Sequence, residues 1–208
     1  MILMKDHLKY EVVGQTIDDA AGEAFDKVAK IMDLGYPGGP QIEKLARSGN
    51  ENKYKLPIGL SGKIDFSFSG LKTAVLYLTK DPKTQKALKY KKADLAASFQ
   101  KTVVDTLILK TQKAIDRFKP KTVILSGGVS ANAYLRERFV DECCHPEFIS
   151  GSKEKMPKQV PRDIQILIPP KELSTDNAVG IGICAALKEN STNYVEADPN
   201  LKLTQSSS

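Results

Sequence analysis

No apolar run in the 208-residue chain approaches the roughly 20 residues that a membrane-crossing helix needs, so these residues hold no helical span. The opening MILMKDHLKY has an apolar run too short for a signal peptide, and Asp6 interrupts it. Cysteine is scarce. Three residues, an odd count, argue against a disulfide scaffold and for a reducing cytoplasm. Histidine is scarcer still, with only His7 and His145. There is no H-E-x-x-H, and neither histidine sits in a nucleophile–base pattern, so nothing supports a peptidase.

What remains is the composition of a soluble globular protein, 41% hydrophobic and 27% charged. At this length it forms one or two domains and can bury a real core. The net charge of +6 is compatible with nucleic acid or acidic partners and establishes neither.

Residues 1–3 and 10–13 read as two strands of a hairpin joined by the polar 5–9 turn, a domain opening in mid-strand with more expected upstream. Thr16, with Asp19 three residues on, predicts a helix start. Ile17, Ala21, Ala24, Val28 and Ile31 then share one helical face. Asp18 and Asp19 suit the positive end of that helix, whereas Asp26 lies two turns in, where capping no longer explains it. Gly22 inside the helix implies close packing.

Residues 36–40, YPGGP, are either a helix stop before a short helix over 42–46 or a backbone platform under a flat ligand. A loop follows over 47–63, with a candidate strand at 54–58. Residues 64–73 alternate apolar and polar, then break at Ser69-Gly70 into a helix reaching about Leu78. Residues 80–92 carry six lysines, a solvated face or an RNA-facing patch, with no aromatic interleaving beyond Tyr90. Residues 93–118 form a long amphipathic helix whose Leu95, Phe99, Val103 and Leu107 make a core stripe.

The informative stretch is 121–138, KTVILSGGVSANAYLRER. Val123, Ile124 and Leu125 read as a buried strand ended by Gly127-Gly128, with Ser130 at the N-cap of a helix over 131–139. A strand, a glycine turn and a helix N-terminus aim free N–H groups at an anion, or form an ordinary tight connection. Residues 143–162 have no period, three prolines and a Ser-Gly-Ser turn, and read as an inserted surface loop. Cys143, Cys144 and His145 are adjacent without a second pair at zinc-like spacing, a weak metal signal. A strand at 164–168, Ser174-Thr175-Asp176 before a helix over 177–187, and a frayed polar tail over 191–208 complete the chain. The alternation says α/β, with one site between the turns near Ser130 and Asp176.

Taken in order, GQTIDDAAGEAFDKVAK, YPGGP, DFSFSGLKTAV, ASFQ, LSGGVSANAYLR and STDN resemble the tRNA threonylcarbamoyl-adenosine transferase (TsaD) family, once described as O-sialoglycoprotein endopeptidases. The resemblance runs from about Leu3 to Leu187 and implies an actin-like, Hsp70-like ATPase (ribonuclease H-like) fold. Residues 1–190 would form its C-terminal lobe and part of its helical region. It implies transfer of a threonylcarbamoyl group from threonylcarbamoyl-AMP to N6 of the adenosine beside the tRNA anticodon. Motif matching implies that Asp26 binds the ribose or adenosine part of an adenine nucleotide (threonylcarbamoyl-AMP or ATP) and Gly39 forms its platform. Asn132 would contact the adenylate with Gly127 and Gly128 close by, and Asp176 would ligate one divalent metal, iron or zinc. No general acid or base is implied.

Departures accompany the match. Family members carry an upstream lobe with an H-x-x-x-H pair and a Ser-Gly-Gly-His segment, and neither histidine here has a partner four residues away. Asp176 alone cannot close a metal shell. The expectation is therefore a truncated gene product or one half of a split enzyme, whose partners are tRNA, companion subunits of the modification complex and a separately encoded N-terminal lobe. Two other classes stand beside it: a catalytically inactive interaction module, and a sugar- or acetate-kinase-like phosphotransferase.

Overall fold

In the computed structural model, residues 1–6, 9–80, 90–144 and 164–174 are described. His7, His145, Asp176, the helix expected over 177–187, the tail, and most of the 80–92 lysine run and of 143–162 lie outside them.

Two short strands open the chain, β1 (Ile2–Asp6) and β2 (Lys9–Val12), paired antiparallel with Ile2 opposite Val12 and Met4 opposite Tyr10. These four apolar side chains share one face and are all exposed. Helix α1 (Ala21–Ile31) follows. It starts five residues after the Thr16 expected to begin it. Thr16 Oγ1 donates instead to the Asp19 carbonyl (2.7 Å), closing a turn, while Glu23 accepts the Ala20 N–H (3.4 Å) and caps the helix. Asp18 does not serve α1 either. It accepts Ser67 Oγ (2.5 Å) and the Phe68 N–H (2.8 Å), binding the entry of α1 to the start of α3 (Ser69–Thr79). Partial burial raises its pKa, but hydrogen bonds from Ser67 and the Phe68 and Ser69 N–H groups overcome that and hold it below the ordinary value. Asp19 is held by Lys27 (2.6 Å), with Lys72 at 3.9 Å.

Helix α2 (Gly38–Ala46) begins in the glycine turn, four residues earlier than its apolar residues indicate. Pro40 falls in the first turn, where a missing N–H costs nothing. No strand forms over 54–58, which runs as a loop. Lys110 lies buried beneath the following residues and donates to the carbonyls of Leu60 and Lys63, which fastens that loop. Its amine is pushed below the ordinary lysine value by burial and by Lys113.

Helix α4 (Lys92–Phe118) is the spine, and its stripe is core as expected. Leu95, Phe99 and Val103 pack with Ala24, Phe25 and Val28 of α1, Ile42 of α2, and Leu71 and Val75 of α3. The Phe25 and Phe99 rings meet edge-on at 5.2 Å, a preferred aromatic geometry. Val104 and Ile108 open a second cluster with Leu135, Phe139 and Cys143 of α5 (Ala133–Cys144). Cys143 and Cys144 thus end a helix, and Cys143 is buried in apolar contacts, so the first two residues of the irregular segment expected over 143–162 are helical instead.

Strands β3 (Thr122–Ile124) and β4 (Gln165–Leu167) pair in parallel. The strand expected to be buried is not: Ile124 is 61% exposed opposite Leu167, with Val123 and Leu125 turned to the second cluster. In a two-stranded sheet only one face meets the core. The architecture is α/β, and no helix among the described residues is long and apolar enough to cross a membrane.

Candidate functional site

The glycine turn at the start of α2 is set by Asp26. Its Oδ1 accepts the Gly38 N–H at 2.7 Å, one of the orphan donors of the helix N-terminus. The approach is close: a Cβ on Gly38 would lie 2.7 Å from the Asp26 Cα, the Phe25 carbonyl oxygen and the Ala29 Cβ. Asp26 and the PGGP run are therefore one unit, although twelve residues apart. A Cβ on Gly39 would meet nothing within 4 Å.

The second glycine turn follows β3. Gly127 has φ 93° and ψ 164°, a region that only glycine occupies comfortably. Residues 128–131 then form a single 3-10 turn rather than the start of the helix, with the Ser130 N–H donating to the Gly127 carbonyl (2.9 Å). The N-cap is consequently Asn132, not Ser130. Asn132 Oδ1 accepts the Leu135 N–H (2.9 Å), and Asn132 Nδ2 donates to Gln100 Oε1 (3.0 Å). Gly127 and Gly128 are exposed, and Ser130 is buried with an unpartnered hydroxyl. Gly22 touches this region only at ordinary van der Waals distance, 3.6 Å from Val129 to a built Cβ, which is looser than the close packing expected.

One side chain joins the two turns. Glu43, one turn into α2 beyond Gly39, accepts the Ala133 N–H at the start of α5 (3.2 Å). Asp26, Gly38-Gly39, Glu43, Asn132 and Gln100 are thus linked by direct hydrogen bonds or adjacency. Beside them lies a cavity of about 410 Å³ between α2, α4 and α5. Its polar lining comes from Glu43, Arg47, Glu51, Gln100, Tyr134 and Glu137. Tyr134 donates its hydroxyl to Glu51 (2.7 Å); burial first, and then that carboxylate, push the phenol well above its ordinary pKa, so it stays a donor. The size falls in the roughly 300–1,000 Å³ of small-ligand sites.

Arg136 ties the remaining segment in. Its Nε donates to the Ser130 carbonyl (2.5 Å) and a terminal nitrogen donates to Ser174 Oγ (2.8 Å), joining the 127–132 turn to the first residue of the STDN run. Asp176 lies outside the described residues. Among the described residues no three His, Cys, Asp or Glu side chains gather as they would around a metal ion, so those residues do not fit a metal site and no step below runs through one.

Sequence reasoning missed Glu43, Gln100 and Arg136. Gln100 had a signal, since a glutamine follows an otherwise apolar AASF on the core side of α4. Glu43 and Arg136 had none, because charged residues on helices are ordinarily solvated.

Fold and cavity together define an α/β protein with a cavity of small-ligand size between α2, α4 and α5. Comparison with known proteins goes further. Residues 1–183 match the family described as TsaD, tRNA N6-adenosine threonylcarbamoyltransferase, and the chain belongs to that family. It is 47% identical over 210 residues to the tRNA N6-adenosine threonylcarbamoyltransferase of Clostridium botulinum (strain Kyoto / Type A2), covering 98% of this chain and 56% of that protein. It is 44% identical over 211 residues to the enzyme of the same name from Thermosipho africanus, with 98% and 58% covered. With that from Caldicellulosiruptor bescii it shares 42% over 188 residues, with 90% and 51% covered. The chain spans about half the length of the curated relatives it matches.

Proposed function

We propose that this chain is the C-terminal lobe of a cytoplasmic tRNA-modifying threonylcarbamoyl transferase with an actin-like, ribonuclease H-like ATPase fold. The lobe spans residues 1–190. The supporting observation is the cavity lined by Glu43, Gln100 and the start of α5, which the Glu43–Ala133 and Gln100–Asn132 hydrogen bonds tie to the two glycine turns. Threonylcarbamoyl-AMP or ATP places its adenine in that cavity. Gly39 underlies the ligand, Asp26 and Asn132 hold the adenosine side, and Gly127 and Gly128 leave room for the phosphate.

In the transfer, N6 of the tRNA adenosine attacks the carbamoyl carbon. A C–N bond forms, the bond from that carbon to the phosphate oxygen breaks, and AMP leaves with the electron pair while N6 gives up a proton. The mixed anhydride is already activated, so the protein contributes position and charge stabilisation. The N-termini of α2 and α5 supply favourable dipoles toward the developing negative charge. Asp176 would be one ligand of the divalent metal, iron or zinc, that the family resemblance implies, and that ion would supply Lewis-acid chemistry. Its other ligands, and the wall opposite this lobe, come from an upstream lobe supplied in trans. Companion subunits of the modification complex dock on the assembled pair.

The test is calorimetric titration of the chain with ATP and AMP, without and then with a separately expressed upstream lobe from the same genome. Affinity that appears or rises about tenfold with the lobe, about 1.4 kcal/mol, is expected. No binding in either case from a folded sample would overturn the proposal and leave an inactive interaction module.

A further inference from the structure

Two amides beside the cavity have their orientation dictated by a backbone group. The Leu135 N–H can only donate, so the Asn132 atom 2.9 Å from it is the oxygen. Asn132 must then offer its NH2 to Gln100, and the Gln100 atom 3.0 Å away is likewise the oxygen. The remaining polar group of Gln100 is its own NH2. Gln100 is only 5% exposed, lines the cavity, and its amide nitrogen is not among the sealed atoms left without a partner. A donor that is not sealed, on a side chain lining the cavity and with no acceptor among the described residues, is open to whatever fills the cavity.

The other lining groups narrow the ligand. Glu43 and Glu51 already accept one hydrogen bond each from the protein but retain lone pairs, and Glu137 adds a third carboxylate. These groups suit an exocyclic amine. A neutral amide N–H suits a ring nitrogen with a free lone pair, and a purine with an amino group carries both on one edge. We propose that Gln100 is a specificity-determining residue: its Nε2–H donates to a ring nitrogen of the adenine, and Asn132 and the start of α5 fix the direction of that donor. The inference rests on the reading of the cavity as an adenine-nucleotide site.

The experiment measures dissociation constants for AMP and its 1-deaza, 3-deaza and 7-deaza analogues, each of which replaces one ring acceptor by C–H. The full chain is used, with the upstream lobe present where that lobe is needed for AMP binding. The wild type loses roughly tenfold for one analogue and little for the other two, the size of one enclosed hydrogen bond. Gln100→Glu keeps an acceptor for Asn132 but has no amide donor, so it binds AMP roughly tenfold more weakly and no longer distinguishes that analogue. Gln100→Met, whose melting point reports the cost of freeing Asn132, also loses the discrimination. Equal binding of AMP and all three analogues by the wild type would overturn the role of Gln100 while leaving the nucleotide site intact. A uniform loss across all ligands in Gln100→Glu would do the same, since that is what a merely structural residue produces. Absence of AMP binding to the wild type would overturn both readings.

Discussion

At the start of α2, a Cβ on Gly38 would come within 2.7 Å of backbone atoms of Asp26 and Phe25, so what glycine provides there is space. At Gly127 a Cβ would meet nothing within 4 Å, and what glycine provides is a pair of torsion angles, φ 93° and ψ 164°. The two turns are joined through Glu43, which accepts the Ala133 N–H, and look alike in sequence. The first is held shut by a carboxylate bonded across twelve residues; the second is open at its glycines and held by its own backbone and by Arg136 on the Ser130 carbonyl. One therefore resists added volume and the other resists added conformational restriction, and substitutions can separate the two.

The largest expected effect is at Gly38. Gly38→Ala pushes a methyl group into backbone that cannot move cheaply, and a loss of about 3 kcal/mol is expected in urea unfolding. Gly127→Ala comes next, at about 2 kcal/mol, because the region it must occupy is hostile to any Cβ. The order of these two midpoints is the check: if Gly127→Ala costs more, the close approach at α2 is not the tighter constraint. Asp26→Ala, which leaves the Gly38 N–H without its acceptor, should cost about 1 kcal/mol, as removal of a helix cap does. Asp26→Asn retains an oxygen in place and should recover most of that stability while still weakening AMP binding. Smallest is Gly39→Ala. With open space around it and a helical position, it should be neutral or stabilising by up to about 1 kcal/mol. Weakened AMP binding in this stable variant would show that the exposed backbone, not the fold, is what the ligand uses.

The helices were legible because periodicity reports burial, and α4 was anticipated within one residue at its start. Starts that depend on a particular hydrogen bond were not. Thr16 and Ser130 both have the right chemistry for an N-cap, but each closes or joins a turn before the helix, and the true caps lie a few residues on. Ile124 looked buried because an apolar strand normally has two covered faces, and β3 with β4 has one. Asp26, Gly39 and Asn132 were singled out as candidates through family resemblance, since no periodicity marks a ligand contact. The link from Glu43 to Ala133 spans ninety residues, and no local pattern encodes such a contact.

Helix α4 has 27 residues and so rises about 40 Å. Its first half supplies one apolar cluster and its second half the other, and Leu107 and Val129 touch both. Melting either cluster would strip partners from a dozen or so helical residues, a length that is marginal alone in water. The two clusters accordingly share one fate. Heating should give a single transition, with the cavity and both of its glycine turns lost at the same temperature as the far end of the helix.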